Sequence, residues 1–271
     1  MLVELGEQEF PKVLARYRAG GHVFPLILAV LEGSQRGQVF ASDKNGAAFV
    51  VGNFGFSCLI EADEVDASFE RGLTELLAAR GPVRPSYLLW YEPPPRWQTK
   101  LDASESVKKR ERVRFEFRKE GASYFDETAS CPAGFELQRM TPQLLASAEK
   151  FGLGLESRFW SSADDFIAHG LGVCLVKDGE VVSLCYAAAV ADGLAEVDVV
   201  TDAQFRGHGL GTIVAQEFNR RCLRNGKSPT WDCFDYNTGS LKLAERLGFV
   251  EVRRYPFYSF NIPLDHKEHK I

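Results

Sequence analysis

A carboxylate and a glycine-rich turn stand close together in this chain, and their spacing suggests chemistry. Glu196 opens the extended run Glu196-Val197-Asp198-Val199-Val200-Thr201, which breaks at Asp202-Ala203. Arg206-Gly207-His208-Gly209-Leu210-Gly211-Thr212 follows, and a helical pattern then places Leu210, Ile213, Val214 and Phe218 on one side. Strand, glycine turn and helix start, in that order, aim several free backbone N–H groups and a positive helix end at one place. Such a place suits an anion, a pyrophosphate best of all. Gly207, Gly209 and Gly211 lack Cβ atoms, so the backbone can approach phosphate oxygens and take up φ > 0 at low steric cost. Arg206 can add charge-assisted hydrogen bonds at the rim. An ordinary glycine-containing turn ahead of a helix is the alternative reading of the same residues.

Known phosphate motifs separate the possibilities. The dinucleotide fingerprint Gly-x-Gly-x-x-Gly meets Val214 where its third glycine belongs, and the Gly-Lys-Ser/Thr of an ATPase loop is absent. Arg206, Gly209 and Gly211 instead resemble the Arg-x-x-Gly-x-Gly signature of the GNAT acyltransferase superfamily. A second segment, Asn237-Thr238-Gly239-Ser240 through Glu245-Arg246-Leu247-Gly248-Phe249, is similar to that superfamily's Asn-x-x-Ala/Ser…Glu-x-Leu-Gly-Phe segment. The resemblance covers roughly Phe135 to Tyr258. It implies a coenzyme A site in which Arg206, Gly207, His208, Gly209, Leu210, Gly211 and Thr212 cradle the pyrophosphate. By the same resemblance the backbone of Val199, Val200 and Thr201 holds the pantetheine, and Asn237 and Ser240 contact the coenzyme. Acetyl-CoA would be the acyl donor. Glu196 is the base candidate, three residues ahead of the coenzyme-holding segment, with Asp198 two residues on and on the same face. A solvated or salt-bridged strand-end carboxylate is the competing reading of either residue. One departure stands out: the tyrosine often found before the family's Glu is here Ala244. Tyr236, Tyr255, Tyr258, Cys233 or solvent would have to protonate the leaving thiolate.

The elements that must position these residues follow from pattern. A chain of 271 residues suggests two domains, and an apolar fraction of 45% is enough for real cores. The net charge of −5 leaves nothing basic enough for nucleic-acid binding. Six cysteines without Cys-x-x-Cys spacing read as reduced core residues, and five scattered histidines give no expectation of a metal site. Without a basic region leading into an apolar core at the N-terminus, or an apolar run of spanning length, a cytoplasmic protein that does not enter membranes is expected.

In the first half, helices are expected at Phe10–Tyr17, Phe24–Leu31 and Val65–Arg80, and strands at Gln38–Ser42, Ala47–Gly52, Ser57–Glu61, Ser86–Tyr91 and Arg112–Arg118. Asp43-Lys44-Asn45-Gly46 is a hairpin signal. Lys108, Lys109, Arg110, Arg112 and Arg114 read as a solvated sheet face, with phosphate binding as the alternative. In the second half, Cys131-Pro132-Ala133-Gly134 looks like a linker, Thr141-Pro142 and Ser161 or Ser162 begin helices, and Asp178-Gly179 turns a hairpin. Strands are expected at Glu196–Thr201, Pro229–Phe234 and Arg253–Ile262. The order of elements in the first half echoes the second, with the acidic Ala62-Asp63-Glu64-Val65-Asp66 where the glycine turn would stand.

The expectation is therefore an α/β protein with a mixed sheet. Residues 129–271 would form the catalytic GNAT fold and residues 1–128 a degenerate GNAT-like copy that is structural or walls the substrate site. The resemblance extends to tandem members that include zwittermicin-type resistance acetyltransferases. It implies acetyl transfer from acetyl-CoA to the amine of a small molecule, by a monomer or homodimer. A non-catalytic acyl-CoA-binding sensor or scaffold is the alternative from another class, and Ala244 is the residue in its favour.

Overall fold

The computed structural model describes residues 2–21, 23–42, 46–62, 66–79, 83, 87–118, 130–155 and 159–260. In chain order the elements are β1 (Leu2–Glu4), α1 (Phe10–Ala19), α2 (Pro25–Leu31), β2 (Gly37–Ser42), β3 (Ala48–Gly52), β4 (Phe56–Ile60), α3 (Ala67–Ala79), β5 (Leu88–Tyr91), α4 (Pro95–Asp102) and β6 (Val107–Phe117). They continue with β7 (Glu136–Arg139), α5 (Pro142–Ala148), α6 (Ala163–His169), β8 (Val173–Lys177), β9 (Glu180–Ala191), β10 (Leu194–Thr201), α7 (Leu210–Arg224), β11 (Ser228–Phe234), α8 (Thr238–Arg246) and β12 (Phe249–Phe260). The protein is a mixed α/β fold, as its patterning implies. The hairpin signal at 43–45 and most of the acidic cluster at 63–65 lie outside the described residues.

Two compact units divide the chain, one drawing on 1–111 and the strand from Tyr255 onward, the other on 112–254. The division falls inside β6 and β12 rather than at 128/129. Strand pairing, not the punctuation at Cys131-Pro132-Ala133-Gly134, decides it. In the first unit the order is β1-β2-β3-β4-β5-β12, antiparallel except for the parallel β4–β5 pair. In the second it is β7-β8-β9-β10-β11-β6, antiparallel except for the parallel β10–β11 pair. The two series of pairings are the same. Each unit takes its sixth strand from the chain segment that follows the other's last helix.

Within the first unit, adjacent residues of β5 point to opposite faces and recruit different helices. Trp90 meets Trp97 of α4 at 5.3 Å between ring centroids, alongside Phe69 and Leu73 of α3. Tyr91 stacks on Phe24 at 4.6 Å, at the start of α2, whose residues are all buried. Phe24 also donates its N–H to the Tyr17 hydroxyl of α1 at 3.2 Å. The helix that follows β4 begins with its own anion: Asp66 accepts from the Ser68 N–H at 2.8 Å and from the Ser68 and Ser42 hydroxyls. An N-terminal carboxylate in that position satisfies donors a ligand would otherwise use.

Within the second unit the local signals hold. Thr141 Oγ1 accepts from Leu144 N–H at 3.3 Å and Ser162 Oγ from Asp165 N–H at 3.0 Å, capping α5 and α6. Asp178 and Gly179 both have positive φ, the geometry of a two-residue hairpin turn. Leu210, Val214 and Phe218 of α7 are buried, as their spacing implies. Phe218→Ala should therefore destabilise the second unit by about 3–5 kcal/mol in chemical denaturation. Val23→Ala, at an exposed position of the first unit, should change stability by less than about 0.5 kcal/mol.

Candidate active site

β10 is flanked unequally. It pairs with β9 along its length, but with β11 only from Leu194↔Ser228 to Glu196↔Thr230. Both strands continue past that point, to Thr201 and Phe234, without a ladder between them. Antiparallel strands alternate the direction of their amides. Asp202 N–H donates to Val182 C=O of β9 at 2.9 Å, so the amides of Val200 and Asp198 also face β9. Those of Val199 and Thr201 face the opening. The Thr201 carbonyl confirms the sense of the alternation, because it accepts from Arg206 Nε at 3.1 Å on that side. An extra residue of β9, Ala188, is accommodated where the register steps from Glu196↔Ala189 to Val197↔Ala187.

Beyond Thr201 the glycine turn delivers the chain into α7. Gly207 and Gly209 have φ of 81° and 78°, and Gly209 is the residue that starts the helix. A Cβ there would meet nothing, so the glycines are required by backbone conformation rather than by crowding. Gly211 differs. It is helical, and an added Cβ would lie 3.4 Å from Thr201 Oγ1. Among the described residues no protein acceptor takes the N–H groups of Gly207, His208, Gly209, Leu210 or Gly211. Thr212 N–H turns back to Gly209 C=O at 3.0 Å. No acidic residue lies in the first turn of α7, and His208 lies exposed over the carbonyls of Phe205 and Arg206. Arg246 of α8 reaches Thr212 Oγ1 at 3.4 Å. Arg206 and Arg246 supply positive charge nearby, and among the described residues no protein acceptor takes the Gly207–Gly211 amides. These residues fit the diphosphate of coenzyme A.

Glu196 lies on the face of β10 away from α7. Only 4% of it is exposed, and its Oε2 accepts from Thr230 Oγ1 at 2.6 Å. Burial pushes its pKa up to about 7, against the pull of Arg114; the negative Asp232 adds to the rise, and the Thr230 bond and Arg112 oppose it. Arg112 and Arg114 correct the sequence reading of a solvated basic face. Their side chains are nearly buried, and both pair with the fully buried carboxylate of Asp232. Arg112 Nε bonds Asp232 Oδ1, and its NH2 group donates to the Asp232 carbonyl at 2.7 Å. Asp198 shares the Glu196 face and accepts from the Tyr186 hydroxyl at 2.6 Å.

Asn237 and Ser240 meet at the start of α8, where Asn237 Oδ1 accepts the Ser240 N–H at 3.1 Å and caps the helix. The Ser240 hydroxyl accepts from Trp231 Nε1 at 3.0 Å, tying α8 to β11 on the face opposite Glu196. Of the acid candidates, Cys233 is buried and its pKa is raised. Tyr255 and Tyr258 are buried in the first unit, where Tyr258 donates to Asp102 at 2.8 Å. Tyr236 is exposed and stacks on Phe234 at 5.1 Å. Sequence reasoning missed Thr230 and Asp232 by reading 229–234 only as a strand. The available signal was two polar residues at i and i+2 inside a buried strand, opposite arginines spaced likewise.

The raised Glu196 pKa has a stability consequence with a definite sign. Between about 4.5, the ordinary value, and about 7, the native state keeps a proton that the unfolded chain has released. Stability from this group is whole below that window and is lost as pH rises through about 7. Glu196→Gln should therefore gain stability relative to wild type from about pH 4.5 to pH 7, and hold a constant advantage above it. Urea denaturation of both proteins across pH 4.5–8.5 checks this.

Comparisons with known proteins agree with the geometry. A 134-residue stretch is 33% identical to a protein named "Uncharacterized N-acetyltransferase YdfB" from Bacillus subtilis (strain 168), covering 49% of this chain and 51% of that one. The chain thus spans about half the length of that curated relative. A GCN5-related N-acetyltransferase-like protein from Streptococcus suis superposes with a TM-score of 0.74 at 22% identity, covering 94% of this chain and 100% of the other. A tandem GNAT protein from the clavulanic acid biosynthesis pathway superposes with a TM-score of 0.60 at 16% identity, over 98% and 99% of the chains. Both show a shared fold. A family model described as GNAT acetyltransferase matches residues 21–258, nearly the whole chain, and the protein belongs to that family.

Proposed function

We propose that the protein is an acetyl-CoA-dependent N-acetyltransferase acting on the amine of a small molecule. The observation that carries this reading is the set of unclaimed amides at Gly207–Gly211, opening α7 beside a strand that has parted from its neighbour. Family membership and the N-acetyltransferase relative support acyl transfer from a coenzyme A thioester. Arg206, Gly207, His208, Gly209, Leu210, Gly211 and Thr212 would hold the diphosphate, and Val199, Val200 and Thr201 the pantetheine through main-chain bonds. Asn237 would contribute its amide NH2, since its Oδ1 is engaged by Ser240.

Acetyl-CoA, when bound, supplies an activated acetyl carbonyl and a thiolate leaving group. The chain supplies the rest. Amides of Val199 and Thr201 aimed into the opening can stabilise negative charge on a carbonyl oxygen. Glu196, with its pKa near 7, can accept a proton from the incoming ammonium at neutral pH. Because Glu196 is buried and bonded to Thr230, that proton travels through a water rather than by direct contact. Ala244 is buried and offers no proton, so the released thiolate takes one from solvent.

A second reading, a non-catalytic acyl-CoA sensor, draws on Ala244. Thiol release from acetyl-CoA across a panel of small amines separates the two. An accepting amine should be found, and Glu196→Gln should lower its turnover about 100-fold or more while coenzyme binding by calorimetry persists. Gly209→Val, which strains a left-handed position, should instead weaken coenzyme binding. Coenzyme binding with no turnover on any amine would favour the sensor.

A further inference from the structure

Three strands of the second unit place polar groups in register on one face. Glu196↔Thr230 and Thr230↔Glu116 make one row across β10, β11 and β6. Asp232↔Arg114 and Phe234↔Arg112 make the next two. Residues two apart on a strand share a face, so Thr230, opposite Glu196, and Asp232 lie on one face of β11. Thr230 Oγ1 holds Glu196 Oε2 at 2.6 Å, and Arg114 Nε holds Asp232 Oδ2 at 3.2 Å. Arg112 closes the other side of Asp232 and lies 4.7 Å over the Phe234 ring.

The Asp232 side chain is wholly buried and is held by both guanidinium groups. Glu196 receives opposing influences, attraction from Arg114 and Arg112 and repulsion from Asp232. The other charged groups near this face are Glu116 of β6, which is exposed, and Asp198 of β10, which is bonded by Tyr186 of β9. The Asp232–Arg114 row adjoins the row that holds Glu196 and its hydroxyl donor, on the same face.

We propose that Thr230, Asp232 and Arg114 are positioning residues for Glu196: Thr230 fixes its carboxylate, and the Asp232–Arg114 pair supplies the charged surroundings in the adjoining row. This rests on the reading of Glu196 as the base. It also gives the segment ahead of 119–129 a part in the chemistry, since β6 supplies both arginines to the second unit's sheet.

The test is a ¹³C NMR titration of the Glu196 side-chain carboxyl in full-length protein labelled at glutamate Cδ, the signal assigned by its loss in Glu196→Gln. The wild-type midpoint should lie near 7. Asp232→Asn should lower it and Arg114→Gln raise it, each by about one pH unit, with Arg114→Lys restoring it. Thr230→Val should raise it as well. If Asp232→Asn does not fold, as judged by circular dichroism, the Arg114 and Thr230 variants carry the test. Midpoints that stay put, or that move in the same direction for Asp232→Asn and Arg114→Gln, overturn the proposal. Thiol-release pH profiles should move with the titration. Full turnover in Glu196→Gln would instead overturn the reading of Glu196 as base, and leave the titration result standing on its own.

Discussion

The early end of pairing between β10 and β11 is the constraint on which the rest of the structure depends. Backbone N–H and C=O groups inside a protein need partners, and strands normally provide them to one another. Here the ladder stops at Glu196↔Thr230 while both strands run on. The main-chain groups of Val199 and Thr201 are thereby turned toward an opening instead of a neighbour. Gly207 and Gly209 extend the same condition around the turn into α7 by adopting left-handed backbone that presents amides rather than side chains. Under the proposed function, a ligand rich in acceptors, anionic at one end and amide-bearing along its length, would meet the demand of both stretches.

The first unit shows what the same architecture does when that demand is met internally. Its strands pair in the same series, yet the helix after its parallel pair begins at Asp66, whose carboxylate takes donors from Ser68 and Ser42. Glu70, inside that helix, is occupied by Arg96 and Lys100. An anion arriving there would find the helix start already occupied by the Asp66 carboxylate. Two units with one pairing plan thus differ in whether the amides at the helix start are met by a side chain, as at Asp66, or are without a protein acceptor among the described residues, as at Gly207–Gly211.

On the opposite face of β10 the governing interaction is electrostatic. Burial raises the Glu196 pKa to about 7; Arg114, the Thr230 bond and Arg112 oppose the rise, and Asp232 adds to it. The cluster is expensive to bury and would be a poor way to stabilise a sheet, since buried ion pairs rarely outperform apolar packing. Its cost is understandable if the sheet is there to hold a base.

The residues alone were enough to determine the elements with strong local causes: the α1 and α7 stripes, the cap at Thr141 and one at Ser161 or Ser162, the turn at Asp178-Gly179, and the glycine run before Leu210. Each depends on interactions within a few positions of chain, and there the sequence and the structure agree. What only the tertiary structure decided involves strands distant in sequence. The membership of β6 in the second unit, the burial of Arg112 and Arg114, and the pairing of both with Asp232 were invisible to a reading that saw a basic run and a strand separately. Alternation says that residues two apart share a face, but not which strand will lie beside them or whether that face meets water. That is settled by sheet order, and sheet order is a property of the folded chain.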